Sequence, residues 1–413
     1  MTVHDGENDI LRKAIPALRS DLEAIPWRQG GEDLIVLRDP SGYSKEMLHL
    51  SPQAWALIVL FDGTMPALAV SEVIEREVRI RVPAQQIVEM AAVLDTALFL
   101  DSPAFAKARA ANDACFMDLQ IRPAAHAGQS YSADPAELSD FFSRLLPREG
   151  SGIRGNPPSG ILVPHIDLKI GPDVYAPAFE RMRRYIPETV VILGTSHYSN
   201  EDLFILTEKN FETPFGVLPA DVEFVRQLRR ASGDSFTHRD VAHRQEHSIE
   251  FPVLFLQHLY GSRAPRIVAV LCTSFDHYLA GGGPRSDERY RIFIDAFRET
   301  IDTLGREVSY VVSVDWSHVG RKFGDGADAA ALLPSVRLSD RALLEAVQRV
   351  DHAAFTSLLA ETGNATRLDG YSCISTFFDL ALPRRAELLA YDAWHEEERA
   401  SAVTYASMAF YDA

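Results

Sequence analysis

Val308-Ser309-Tyr310-Val311-Val312-Ser313-Val314-Asp315-Trp316-Ser317-His318 is a β-branched and aromatic run that stops abruptly at polar residues. A strand with so little alternation belongs in a sheet covered on both faces, because a strand with one wet face alternates apolar with polar. Two other stretches have the same form. Ile161-Leu162-Val163-Pro164 leads into His165 and Asp167, and Val190-Val191-Ile192-Leu193-Gly194 leads into Thr195, Ser196 and His197. Ile267 to Leu271 is a further β-branched run, and helical segments such as Tyr175 to Arg184 and Phe251 to Leu259 lie between the strands. The pattern predicts an α/β domain with a mostly parallel central sheet flanked by helices. Ligands in such sheets bind beyond the carboxyl ends of the strands, and here those ends carry histidine.

If the three strands are parallel neighbours, the side chains just past them converge on one crevice. His165 and His197 supply nitrogen ligands, and either Asp315 or His318 completes the set. A fourth histidine, His247, stands in Gln245-Glu246-His247-Ser248-Ile249-Glu250 at the entrance to an apolar helix, with His238 and His243 as nearby bystanders. Glu246, Ser248 and Glu250 also suit plain helix capping. One loop histidine is ordinarily just a hydrogen-bonded loop residue. Four at one sheet edge point to a metal-capable pocket, with Asp167, Ser196, Glu246 and Ser317 as its polar lining. Imidazole and carboxylate ligands suit divalent iron first, with copper or zinc as further options.

The rest of the composition narrows the function. At 413 residues the chain is long enough for two domains. No window approaches the roughly 18 apolar residues of a spanning helix, and Met1 to Glu7 is polar and acidic, so a soluble cytoplasmic chain is expected. Three widely spaced cysteines, Cys115, Cys272 and Cys373, fit reduced thiols better than a disulfide framework. A net charge of -17 without a basic stripe argues against a nucleic-acid partner. Gly281-Gly282-Gly283 follows no strand-to-helix pattern, so phosphate and nicotinamide chemistry are not expected.

Residues 1–105 form a separate compositional unit. Asp33 to Asp39 reads as a strand, Ser51-Pro52 as the cap and first turn of a helix running to Phe61, and Ala69 to Glu77 and Pro83 to Leu98 as two more helices. This order, with "LSPQAWALIVLFDG" at its centre, resembles the PqqD-like domains, small winged-helix-like α+β modules that bind peptides or partner enzymes. Residues 106–118 are alanine-rich and read as helix or linker. The proline- and glycine-rich stretch Arg148 to Gly160 reads as a surface loop within the second domain, residues 119–413.

Across that second domain, the blocks "RPAAHAGQSYSADPAELSDFFSRLL", "ILVPHIDLKIGPDVYAPAF", "VVILGTSHYS", "FETPFGVLPAD", "QEHSIEFPVLFLQHLYG", "RIVAVLCTSF" and "VVSVDWSHVG" are similar, in order, to the Memo family, also called AmmeMemoRadiSam system protein B. The resemblance implies a fold related to the class III extradiol dioxygenases, with iron held by two histidines and a carboxylate. It implies His165 and His197 as metal-associated residues and His247 as an acid/base near the substrate. The third family position, a cysteine, falls on Ser317, so Asp315 or His318 is expected to complete the set. Asp167 is then a residue that orients His165, and His126 a pocket wall. Radical-SAM and AMMECR-type proteins are the partners that the resemblance implies.

The expectation is a metal-binding protein, a non-haem-iron or copper-dependent oxidoreductase of dioxygenase type with an unknown small-molecule substrate. The rival is a non-enzymatic scaffold with a vestigial pocket. A zinc hydrolase uses the same ligand types plus a water.

Overall fold

The computed structural model describes residues 10–29, 31–146, 156–233, 236 and 239–412. Met1 to Glu7, His238 and most of Arg148 to Gly160 lie outside the described residues. Two compact units divide the chain, Met1–Asp118 and Leu119–Ala413.

In the first unit, β1 (Glu23–Gln29), β2 (Glu32–Arg38) and β3 (Met47–Leu50) form an antiparallel sheet in that order. Helices α1 (Pro52–Ile58), α2 (Ala67–Val78), α3 (Ala84–Thr96) and α4 (Pro103–Met117) follow. The Ser51 side chain accepts the Ala54 N–H and Pro52 opens α1, which is the capping chemistry the sequence predicts. The helix stops at Ile58 instead of reaching Phe61, whose carbonyl accepts the Leu18 N–H at 2.8 Å. Ile58, Phe61, Val70, Ile74, Ile87, Leu94 and Phe99 make the core of this unit. Residues 106–118, read as helix or linker, fall almost entirely within α4.

Along the second unit run β4 (Ile121–Arg122), α5 (Pro135–Leu145), β5 (Gly160–Val163), α6 (Pro172–Met182), β6 (Thr189–Thr195), β7 (Phe204–Leu206), β8 (Asn210–Thr213), β9 (Gly216–Leu218), α7 (Val222–Ala231) and α8 (His247–Tyr260). Then come β10 (Arg266–Cys272), α9 (Glu288–Leu304), β11 (Val308–Ser313), β12 (His318–Gly320), α10 (Ala329–Gln348), α11 (His352–Thr362), α12 (Tyr371–Ala381), β13 (Arg385–Glu396) and β14 (Ser401–Tyr411). The main sheet has the order β12-β14-β5-β11-β6-β10-β7, with β13 on β14. Its middle four strands are parallel, whereas β7, β12, β13 and β14 pair antiparallel. The sheet is therefore mixed, and the expected parallel arrangement describes its centre only. A short connection such as the one between β13 and β14 cannot make a crossover, which takes a dozen or more residues, so it returns antiparallel.

Period-two alternation sends successive residues to opposite faces. Leu162, Val191, Leu193, Val270 and Val312 pack under Phe224 of α7, Phe293 and Phe297 of α9 and Phe377 of α12. Their neighbours Ile161, Val163, Val190, Ile192, Ala269 and Val311 pack under Tyr175 and Phe179 of α6 and Phe251 and Phe255 of α8. Both faces are covered, which is why these strands are apolar throughout. Among the described residues, no helix is long and apolar enough to cross a membrane.

Candidate metal centre

Val163 of β5 lies opposite Ser313 of β11, and Ser313 opposite Gly194 of β6, so the chain leaves all three strands at one level. From there Pro164-His165, Ser196-His197 and Asp315-Trp316 turn into a shared crevice. The start of α8 comes in over β6 because Gly194 has no side chain: a Cβ there would lie 2.5 Å from Ser248 Oγ. This brings His247, the first residue of α8, beside His197.

Ring centroids are 5.0 Å apart for His165 and His197, 5.0 Å for His165 and His247, and 4.7 Å for His197 and His247. Each imidazole offers a nitrogen within 4.8 Å of the others, so the three can hold a metal ion. The crevice is closed behind His165, whose side chain is 2% exposed, and open over His197 at 33% and His247 at 25%.

Carboxylates surround the imidazoles. His165 Nδ1 lies 3.1 Å from the Ser313 carbonyl and its Nε2 lies 2.9 Å from Asp369 Oδ2. Asp369 Oδ2 is also 3.9 Å from His197 Nε2. Beyond these ion-pair contacts, neither buried Asp369 oxygen has a hydrogen-bond donor among the described residues. Such a carboxylate is costly to bury unless a cation answers it, as the charged His165 ring or a metal ion can. Glu246 faces the other side of the cluster, with Oε1 2.9 Å from His197 Nδ1 and 3.4 Å from His247 Nδ1.

The titration behaviour follows from this crowding. Burial opposes a charge on His165, but Asp315 and Asp369 outweigh it and hold the imidazole up to about 10. Burial, reinforced by the neighbouring His197, holds His247 well below its ordinary value, with Glu246 opposing. Burial would raise Glu246 and Asp369, yet His197 and His247 keep the first below the usual carboxylate range, and His165 keeps the second there. Asp315 is pushed up by burial.

Of the residues singled out in the sequence, His165, His197 and His247 meet. Asp315 lies close behind them with a different contact: its Oδ1 accepts the His165 and Ile166 N–H groups at 2.9 and 3.1 Å, and its Oδ2 is 3.8 Å from His165 Nε2. His318 turns Nδ1 to the carbonyls of Trp316 and Arg367 at 3.2 and 3.1 Å and is outside the three-imidazole group. Ser317 donates to Asp340 at 2.6 Å. Asp167 accepts the Lys169 N–H at 2.8 Å, and Ser196 donates to the Ser199 carbonyl at 2.8 Å, each closing its own loop. His126 lies at the rim, its ring centroid 5.7 Å from that of His247. His243 is buried apart from the cluster, with Nε2 3.0 Å from the Ile205 carbonyl.

Two contributors have no signal among those motifs. Asp369 precedes α12 in a turn pressed onto the sheet, where a Cβ on Gly370 would lie 2.9 Å from the Val314 side chain. Arg122, fully buried, pairs with Glu250 and donates to the carbonyls of His243 and Glu246, both at 2.9 Å. It braces the segment that delivers His247. An acidic residue before glycine reads as an ordinary turn, and one arginine in "RPAAH" gives no hint of its burial.

A family model described as "Memo-like protein" matches residues 122–409. The chain is similar to a MEMO1 family protein of Aquifex aeolicus, 29% identical over 382 residues, covering 92% of this chain and 96% of that one. That likeness is longer than the second unit and so takes in part of the first. A MEMO1 family protein of Thermus thermophilus is 27% identical over 286 residues, with 68% and 80% covered. The protein memo-1 homolog of Caenorhabditis elegans is 27% identical over 249 residues, with 59% and 67% covered.

Proposed function

This chain belongs to the Memo-like protein family, and from that premise we propose that it is a metal-dependent oxidoreductase of dioxygenase type, with His165, His197 and Asp369 holding divalent iron and His247 moving the proton. The observation that carries the proposal is the Asp369 carboxylate, which among the described residues has no donor besides the His165 ring and is turned toward Nε2 of both His165 and His197. Two imidazoles and a carboxylate with open positions are the ligand set of non-haem iron oxygenases, while copper and zinc accept the same donors. Bound there, the metal supplies Lewis acidity and a position for an oxygen-bearing substrate beside dioxygen.

The chain's own residues supply the rest. His247 stands at the open side with a neutral imidazole at neutral pH, because burial and His197 disfavour its charge. It is placed to accept the proton of a substrate hydroxyl. Asp315 holds the backbone of the His165 turn, and Phe251, 5.5 Å from His247 between ring centroids, walls off water on the helix side.

Metal analysis of protein purified without chelators or affinity tags tests this. Wild type and His247→Ala are expected to carry stoichiometric iron, whereas His165→Ala, His197→Ala and Asp369→Ala lose it. Substrate-dependent oxygen uptake is expected only from iron-loaded wild type. Sub-stoichiometric metal in every sample would overturn the proposal, and loss of metal from His247→Ala would make that residue a ligand instead.

One observation favours a second reading, a non-catalytic partner of radical-SAM and AMMECR-type proteins docking through a PqqD-like first unit. The hydroxyl of Ser317 is committed to Asp340, so this position offers the metal nothing in place of a thiolate. Met47 on β3 is 61% exposed and gives a test. Under that reading, Met47→Asp loses partners that wild type captures from the native host.

A further inference from the structure

Glu246 touches both the imidazole proposed to bind the metal and the imidazole proposed to carry the proton. Its side chain is fully buried. Oε2 accepts the His197 backbone N–H at 3.0 Å, while Oε1 accepts the Ser248 N–H at 3.0 Å and lies 2.9 Å from His197 Nδ1 and 3.4 Å from His247 Nδ1. An ionised carboxylate only accepts hydrogen bonds. His197 must therefore carry hydrogen on Nδ1, which leaves a lone pair on its Nε2 when the ring is neutral, whereas His247 lies against the same oxygen without a hydrogen bond to it. His165 likewise turns Nδ1 to an acceptor, the Ser313 carbonyl, while its Nε2 faces the Asp369 carboxylate.

Capping alone does not explain this arrangement. Asp221, Asp287 and Asp328 cap their helices by accepting backbone N–H groups. Glu246 does the same for α8 and in addition reaches two imidazoles. We infer that Glu246 is a positioning residue that sets the tautomer of His197, so that metal binding through that imidazole's Nε2 depends on this carboxylate. The inference rests on the metal reading above.

Glu246→Gln tests this role. With its amide oxygen in place of Oε1 its NH2 meets the His197 backbone N–H, and with the amide turned over its NH2 meets the Ser248 N–H and His197 Nδ1, so either the His197 turn shifts or that ring moves its hydrogen to Nε2. Cobalt(II) titration of the full-length chain against a competing chelator is expected to show binding weakened about 10- to 100-fold, the usual effect of losing a partner that orients a ligand. Long-range proton–nitrogen spectra of the zinc-loaded wild type are expected to show Nδ1–H on His197.

Glu246→Gln binding cobalt as tightly as wild type, with the same visible absorption, overturns the inference and leaves the metal proposal standing. Wild type failing to take up cobalt overturns both. Should the variant not fold, the wild-type spectrum still decides, because Nε2–H on His197 contradicts the assignment.

Discussion

Breaking the Arg122–Glu250 pair should destabilise the second unit more than any surface change, and the cost can be worked from the contacts. Arg122 is wholly buried. Besides pairing with Glu250, it donates to the carbonyls of His243 at 2.9 Å, Pro123 at 3.1 Å and Glu246 at 2.9 Å. Arg122→Met fills similar volume but leaves a buried carboxylate and three carbonyls without their donor. Removing one partner of a buried pair costs about 3–5 kcal/mol. Here Glu250 retains the Ala125 and His126 N–H groups, each at 2.9 Å, and the Tyr131 hydroxyl, so about 4 kcal/mol is expected rather than more. Glu250→Gln alone strands the guanidinium at similar cost, whereas the double variant buries no lone charge. The two losses should fail to add by about 2–3 kcal/mol. Urea unfolding of the four proteins, followed by a probe confined to the second unit, measures that coupling. Effects additive to within about 0.5 kcal/mol would refute the reasoning.

Two further outcomes follow from other contacts. Among the described residues His243 Nδ1 has no hydrogen-bond partner, and burial lowers the imidazole from 6.5 to about 4. Between those values the unfolded chain binds a proton the folded one refuses, so stability is full above about pH 6.5 and falls by up to about 3 kcal/mol toward pH 4. His243→Gln should flatten that slope, and equal losses in wild type and variant between pH 7 and pH 5 would show that another group is responsible. Gly194→Ala places a methyl 2.5 Å from Ser248 Oγ and 2.8 Å from Ile249 Cδ1. Overpacking of this kind costs about 1–3 kcal/mol, and pushing α8 outward should weaken cobalt binding as well; an unchanged urea midpoint and affinity would count against the close approach described here.

The centre of the fold and much of the site were legible because both are written locally. A β-branched run that halts at Pro164-His165 or Ser196-His197 announces a buried strand and what lies at its end. Asp369 was not legible. It belongs to no run, and only the packing of α12 on β11, with Gly370 against Val314, carries it to the imidazoles. His247 was visible as a helix start, but its nearness to His197 depends on the missing side chain at Gly194. The antiparallel flank was harder to read because every residue of β14 is buried and many are alanine or serine, so neither alternation nor β-branching marks the strand. In the first unit, Pro26 hides β1: proline breaks a central strand but is tolerated in an outer one, and β1 is outermost in its sheet.

The placement of β14 also sets an order of assembly. It pairs with β5 through Met408 and Leu162, partners separated by most of the second unit, and its Thr404 carbonyl accepts the Trp316 N–H at 2.8 Å, holding the loop that carries Asp315. A ribosome makes this strand after every other strand of the sheet, so until then one border of β5 is bare and the Asp315 loop is untethered. Pairings so distant in sequence form slowly, and an open strand border invites association with other chains. The nascent chain should therefore depend on chaperones until β14 has been made, and the three-histidine cluster should be able to hold a metal only once that strand is in place.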